Sequence, residues 1–496
     1  MSGLVSRGHG TAESRRNNYE GITSMPRISR REILADMGLS IGGMALGSLW
    51  GGQTSQAAAD SASRGNPLAP KPPHFAPRAK SVILLFAAGG VSSLDLFDPK
   101  PKLNQHDGQP VPAELVEGQR FAFIQGRPNL LGSPYRFQRH GQCGMEFSQL
   151  LPNLATLADK TTLIRSVHTD NVNHTPAQLM FATGHEFAGR PSMGAWTVYA
   201  LGSETADLPA FVHLTSGLQG TAGSHHTNSG FLPGVYQGVA FRSGPNPVFY
   251  LADPRGMGRA DRQATIDSIV SLNRERLAAV GDPEIATRIA QYEMAFRMQQ
   301  TAPELIDLSH ESKSTLAMYG VKPDKPSLAS NLLLARRLVE RGVRFVQLCD
   351  GGWDHHSKIF SELPEKCLAV DRPLAALVKD LEQRGLLDET LVIWAGEFGR
   401  TPMLEGQADK KLVGRDHHKD AFSIWMAGGG LKPGLTYGAT CELGYRITEE
   451  PVHVHDLQAT VLHLLGLNHE RLTYRHQGRD FRLTDVYGRV VHDVLA

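Results

Sequence analysis

The sequence has almost no net charge: 51 Lys and Arg stand against 50 Asp and Glu, a formal balance of +1 over 496 residues. A chain so balanced carries no electrostatic footprint for nucleic acid or an anionic membrane, and neither is expected as a partner. Cysteine is scarce. Its 4 copies, Cys143, Cys349, Cys367 and Cys441, lie far apart without a Cys-x-x-Cys spacing, so neither a zinc ribbon nor a disulfide framework is indicated, and free buried thiols are expected. A long, strongly apolar run is missing too. The segment from Ile33 to Leu49 is interrupted by Asp36, Gly42, Gly43 and Gly47, and falls short of the roughly 20 apolar residues of a membrane span.

That weakly apolar run has a recognisable setting. It follows Ser29-Arg30-Arg31-Glu32-Ile33-Leu34 and precedes Ala57-Ala58-Ala59, which is the order of a cleavable twin-arginine signal peptide. Residues 1–59 are therefore read as a leader, with the twin-arginine export machinery as partner, a periplasmic or secreted destination and no stable membrane insertion. Initiation at Met25 instead of Met1 would bring the arginine pair close to the N-terminus. Residues 60–80, with Pro67, Pro70, Pro72, Pro73 and Pro77, read as an extended tether. The domain then runs over 81–496, with a Gly- and Pro-rich stretch at 200–260 expected to be a loop-rich insertion or cap.

Within the domain, Val82-Ile83-Leu84-Leu85-Phe86 is a short continuous apolar run, the pattern of a strand buried on both faces. Apolar strands at 162–167, 343–348 and 391–394 each follow a helical stretch and end in a polar loop. Such alternation predicts an α/β fold with a largely parallel central sheet. Helix is also expected over 267–300, broken at Gly281-Asp282-Pro283.

In such sheets the loops at the carboxyl ends of the strands form the ligand site. The sequence's 21 histidines are a high count for its length, and many fall in clusters with Asp. The densest is Asp350-Gly351-Gly352-Trp353-Asp354-His355-His356; residues two apart in extended backbone face the same way, so Asp354 and His356 can share one ion. Others are Gly396-Glu397-Phe398-Gly399-Arg400 and Arg415-Asp416-His417-His418. Asp, His and Glu drawn from separate strand ends suit a divalent ion, Zn, Mn or Mg. A further segment, Asn171-Val172-Asn173-His174-Thr175-Pro176-Ala177-Gln178, reads as a turn into a helix N-terminus, where free N–H groups favour an anion. Helix capping by Thr175-Pro176 accounts for the same residues.

At these residues the chain resembles the alkaline phosphatase and sulfatase superfamily, and more closely the bacterial DUF1501 family. The segments that carry the closer resemblance are Gly89-Gly90-Val91-Ser92-Ser93-Leu94-Asp95-Leu96-Phe97-Asp98-Pro99, the Asn-His-Thr-Pro-Ala-Gln stretch from Asn173, Gly-Gly-Trp-Asp-His-His, Gly-Glu-Phe-Gly-Arg-Thr-Pro and Gly-Arg-Asp-His-His. The resemblance implies an alkaline-phosphatase-like three-layer sandwich. It sets His174 at the nucleophile position, Thr175 beside it, Gln178 where sulfatases carry Arg, and Glu397 where they carry a metal-binding Asp. The first strand ends in Gly89-Gly90 where the superfamily has metal-binding Asp; Asp95 and Asp98 lie farther along.

Together these readings point to an exported metal-dependent hydrolase of phosphate or sulfate esters. Asp354, His356, His417 and Glu397 are the expected metal ligands, and His174, Thr175, Glu397 and Arg400 the catalytic groups. Asn173, Gln178 and Arg400 are the expected substrate contacts. The alternative is a non-catalytic metal-binding or assembly protein that keeps the fold.

Overall fold

The computed structural model describes residues 66–119, 121–217, 220–241, 258–323, 325–406, 409 and 411–496. The leader expected over 1–59 lies outside the described residues. A 9-stranded sheet organises the rest. Its strands are β1 (Ser81–Ala88), β2 (Thr161–His168), β3 (Phe211–Ser216), β4 (Val239–Phe241), β5 (Phe345–Gly351), β6 (Thr390–Ala395), β7 (Phe422–Ala427), β8 (Leu435–Tyr437) and β9 (Val452–His453).

Strand β1 lies at the centre for a physical reason. All its residues are buried, so both its faces and both its edges must be covered. Val82, Leu84, Phe86 and Ala88 enter one hydrophobic core, and Ile83, Leu85 and Ala87 enter the other. The first core is closed by helices α1 (His174–Thr183), α2 (Met193–Leu201) and α7 (Val454–Leu464). The second is closed by α5 (Leu328–Glu340) and α6 (Ile359–Gln383). The result is a three-layer α/β sandwich. Between these elements α3 (Arg259–Val280) and α4 (Pro283–Ile306) pair with each other, and Gly281, in the left-handed conformation, ends α3 at the predicted break.

The strand order is β8-β2-β7-β6-β1-β5-β3-β4, with β9 also on β2. Pairing is parallel except at β7, which runs antiparallel to both β2 and β6. The carboxyl ends of β1, β2, β5 and β6 therefore open on one edge, and the start of β7 arrives at that same edge.

Two expectations look different in three dimensions. Residues 66–80 lie against the domain: His74 N–H donates to Gly466 O at 2.9 Å and Arg78 N–H to Leu464 O at 2.8 Å. The stretch 200–260 contributes β3 and β4 to the main sheet, because Phe211, Val212 and Leu214 are buried apolar residues that complete it. All four cysteines are free; Cys349 and Cys367 are buried, but Cys143 is exposed. No helix of the described residues is long and apolar enough to cross a membrane.

Since Leu85 has no exposed surface, Leu85→Ala leaves a cavity beside the central strand. A loss of about 2–5 kcal/mol of unfolding free energy is expected. Denaturant titration of the two proteins checks it; a loss below about 1 kcal/mol would mean that the strand is not the centre of the core.

Candidate metal centre

The loops at the carboxyl edge bring His174, Asp354, His356 and His417 together, one ligand-type atom from each lying within 4.8 Å of the others. His174 opens α1. Asp354 and His356 follow β5, and His417 comes from a two-residue antiparallel pair in which it faces Arg400. The alternation in the Asp354 loop is as the spacing predicts. His356 Nε2 lies 2.9 Å from Asp354 Oδ1, whereas the intervening His355 is buried, and burial lowers its pKa to about 4. His418 likewise points away from His417, its Nε2 donating to Tyr445 O at 2.8 Å.

Each of the three converging imidazoles is oriented through its other nitrogen. His174 Nδ1 meets Glu397 Oε1 at 2.7 Å, His356 Nδ1 meets Glu405 Oε2 at 2.6 Å, and His417 Nδ1 meets the carbonyl of Val172 at 2.7 Å. These acceptors take a hydrogen bond from Nδ1–H, so each ring, when neutral, offers Nε2 as a lone pair. The three Nε2 atoms face one another and Asp354. His356 Nε2 and His417 Nε2 are only 2.9 Å apart, and His174 Nε2 is buried, without a hydrogen bond, 3.1 Å from Asp354 Oδ2. Nitrogens brought so close need a shared proton or a cation among them, and the donor set fits a divalent ion.

The charges tell the same story. Burial opposes protonation of His174, but Asp354 and Glu397 outweigh it and raise its pKa to about 9. For His356 burial is likewise overcome, by Asp354 and Glu405, and its pKa rises. Burial wins at His417, whose pKa falls. Asp354 loses solvation by burial, yet its pairing with His174, His356 and His417 and the charge of Arg400 hold its carboxyl far below the usual carboxylate range.

The remaining sequence-predicted residues surround this centre without entering it. Glu397 has no exposed surface and is saturated by donors: Gly89 N–H at 3.0 Å, Gln178 Nε2 at 2.8 Å and His174. Its place is behind His174, orienting the ring. Gln178 is buried, its oxygen accepting from Ala222 N–H at 2.9 Å. Arg400 is buried as well and donates to the carbonyls of Gly89, Gly90 and Arg415 and to Asp354, so its guanidinium is committed to the protein. Asn173 and Thr175 are exposed at the start of α1, with Thr175 Oγ1 donating to Thr221 Oγ1 at 2.9 Å. Asp95 is consumed by Arg415, at 2.9 and 3.2 Å, and Asp98 pairs with Lys100 at 2.9 Å.

Glycine at the end of β1 has a steric cause. At Gly89, where φ is +125°, a Cβ would lie 2.5 Å from the Asp354 nitrogen. At Gly90 it would lie 2.8 Å from the Phe398 ring. The backbone here passes too close to the Asp354 loop for any side chain, carboxylate included. Glu405, Val172 and Phe123, whose ring touches His356 and His417, were not singled out by the sequence. Glu405 lies 49 residues beyond His356, and nothing in the spacing signals the pair.

The chain belongs to the family described as "Protein of unknown function (DUF1501)", whose model matches residues 79–495. No protein of curated function matches it. Solved structures similar to it include a protein in the alkaline phosphatase superfamily from Vibrio parahaemolyticus. That match has 10% identity and a TM-score of 0.34, over 84% of this chain and 76% of the other. The alkaline phosphatase from the Antarctic bacterium TAB5 matches at 10% identity and a TM-score of 0.32, over 79% of this chain and 99% of that one. The PsFucS1 sulfatase from Pseudoalteromonas sp. matches at 12% identity and a TM-score of 0.32, over 79% and 68% of the two chains.

Elemental analysis of protein purified without chelator is expected to find one divalent ion per chain, lost in His356→Ala and His417→Ala and kept in His418→Ala. Glu397→Gln, which removes the charge that orients His174, is expected to weaken ion affinity about 10- to 100-fold. Retention of stoichiometric metal by the His356 and His417 variants would dismiss the site.

Proposed function

We propose that this member of the DUF1501 family is an exported metal-dependent hydrolase of phosphate or sulfate esters, working with a single ion held by His174, Asp354, His356 and His417. One observation carries the reading: three imidazole nitrogens and one carboxylate converge at the carboxyl edge of the sheet, and the Asp354 side chain is still 42% exposed. An anionic ester has access to the centre from that side. Three nitrogens and one oxygen suit Zn, or another imidazole-binding ion such as Mn, better than Mg, which takes oxygen ligands and water. An ion bound here supplies a Lewis acid for the ester oxygen and lowers the pKa of a coordinated water.

The protein's own groups have narrower tasks. Glu397, Glu405 and the Val172 carbonyl fix the three rings, so little reorganisation is needed when the ion binds. Arg400 holds Asp354 in place rather than meeting the substrate. Thr175, exposed beside His174, places a hydroxyl next to a ligand, and the α1 N-terminus behind it favours an anion. His174 acts as a ligand in this scheme, with attack left to water or Thr175.

A second reading has a specific observation behind it. Four protein ligands are the number of a closed structural site, and Arg400 and Gln178 both turn inward. On that reading the chain is a non-catalytic metal-binding or assembly protein at the cell surface.

Turnover of activated aryl phosphates and aryl sulfates by metal-replete protein separates the two. For the hydrolase, His174→Ala is expected to abolish turnover and Thr175→Ala to reduce it less. No turnover of either ester class across a broad panel would leave the non-catalytic reading. Export rests on the leader alone, and replacing Arg30 and Arg31 with Lys is expected to leave the precursor inside the cytoplasm. Normal export of that variant would refute twin-arginine targeting.

A further inference from the structure

We propose that Phe123 is the substrate-side wall of the ion centre, and that it selects ligands whose body next to the metal-binding group presents a flat apolar face, either an aryl ring or the carbon face of a sugar. The proposal deepens the hydrolase reading and rests on it for the word substrate. The wall itself does not depend on that reading.

Phe123 is unlike its neighbours. Phe121 and Ile124 pack against a small core formed by Leu94, Leu103, Val111, Leu130, Met403 and Tyr445, whereas Phe123 leaves 58% of its surface in water. A phenyl ring left outside forgoes burial that is ordinarily favourable. Its backbone is nevertheless firmly held. The N–H groups of Phe123 and Ile124 both donate to Asp416 Oδ2, at 2.8 and 3.0 Å. Asp416 is itself buried, and its Oδ1 accepts from the His417 N–H at 2.7 Å. One carboxylate thus ties the Phe123 loop to the backbone of a metal ligand.

This tether sets the ring against the centre. The Phe123 centroid lies 4.5 Å from that of His356 and 5.4 Å from that of His417, at steep interplanar angles of 69° and 89°. Phe398 covers the other side, 4.5 Å from His417 and 5.0 Å from His174, but it is buried. Of these two aromatic neighbours only Phe123 is available to a ligand. The half-exposed Asp354 and the exposed phenyl ring give a ligand one polar and one flat apolar contact. Aromatic stacking adds about 0.5–1.5 kcal/mol beyond area burial, so the preference for a flat ligand should be modest and measurable.

The test is calorimetric titration of metal-loaded full-length protein with matched probes. Benzohydroxamate against acetohydroxamate reports the wall through metal chelation alone; phenylphosphonate and a hexose 1-phosphate, each against inorganic phosphate, report it with the proposed substrate chemistry. Wild type is expected to prefer the flat member of a pair by about two- to tenfold. Phe123→Ala should abolish that preference while leaving metal content and inorganic phosphate affinity unchanged, and Phe123→Tyr should keep it. A phenylphosphonate preference without a hexose preference assigns an aryl ligand, and the reverse assigns a sugar. If the hydroxamate preference is present and Phe123-dependent but no phosphorus ligand binds, the wall stands and the ester reading falls. An unchanged hydroxamate preference in Phe123→Ala, loss of metal in that variant, or no binding of any probe overturns the proposal.

Discussion

A buried guanidinium is the constraint on which the site depends. Arg400 lies wholly inside the protein and must satisfy its donors there, since an unpaired charge so placed is costly. It does so by donating to the carbonyls of Gly89 and Gly90 after β1, to the carbonyl of Arg415 next to the His417 pair, and to Asp354 after β5. Those three loops share no local sequence, yet one planar fork fixes their separation. Another buried arginine, Arg415, extends this network to Asp95 and to the carbonyls of Leu131 and Gly132. The ligands stand where they do because the backbone beneath them is clamped to positive charge.

That arrangement explains which parts of the molecule were legible in the sequence. Strand β1 was readable because burial on both faces permits only apolar residues, and the helix–strand alternation followed from the same cause. Asp354 and His356 were readable as a pair because extended backbone has a period of two. His417 was readable from its neighbours, as one of several ligand types at a strand end. Arg400 was not, since an arginine in a polar loop has the same letter whether it faces an anion or four acceptors of its own chain. Glu397 was misplaced for a related reason: its alignment with a metal ligand of the superfamily says nothing about the extra methylene and the crowding at Gly89. In this chain it reaches the back of His174.

The glycine pair shows how one steric fact redistributes chemistry. With Gly89 pressed on the Asp354 backbone and Gly90 on Phe398, the end of the first strand has no room for acidic side chains. The centre draws on imidazoles from α1, from the β5 loop and from the approach to β7. Three imidazole nitrogens dominate the candidate donor set, which suits transition metals.

The antiparallel strand of the main sheet also bears on how the centre comes into being. His417 reaches the edge only because β7 runs against its neighbours, and β7 must insert between β2 and β6, which are far apart in the sequence. His174 and Glu397, which touch, are 223 residues apart, and His356 and His417 are 61 apart. Contacts of such separation form late, after the loop-closure entropy has been met. A nascent or half-folded chain therefore offers an ion only scattered single ligands. An ion site of high affinity and the finished sheet would appear in the same cooperative event, and an ion bound at the proposed centre would mark a chain whose folding is complete.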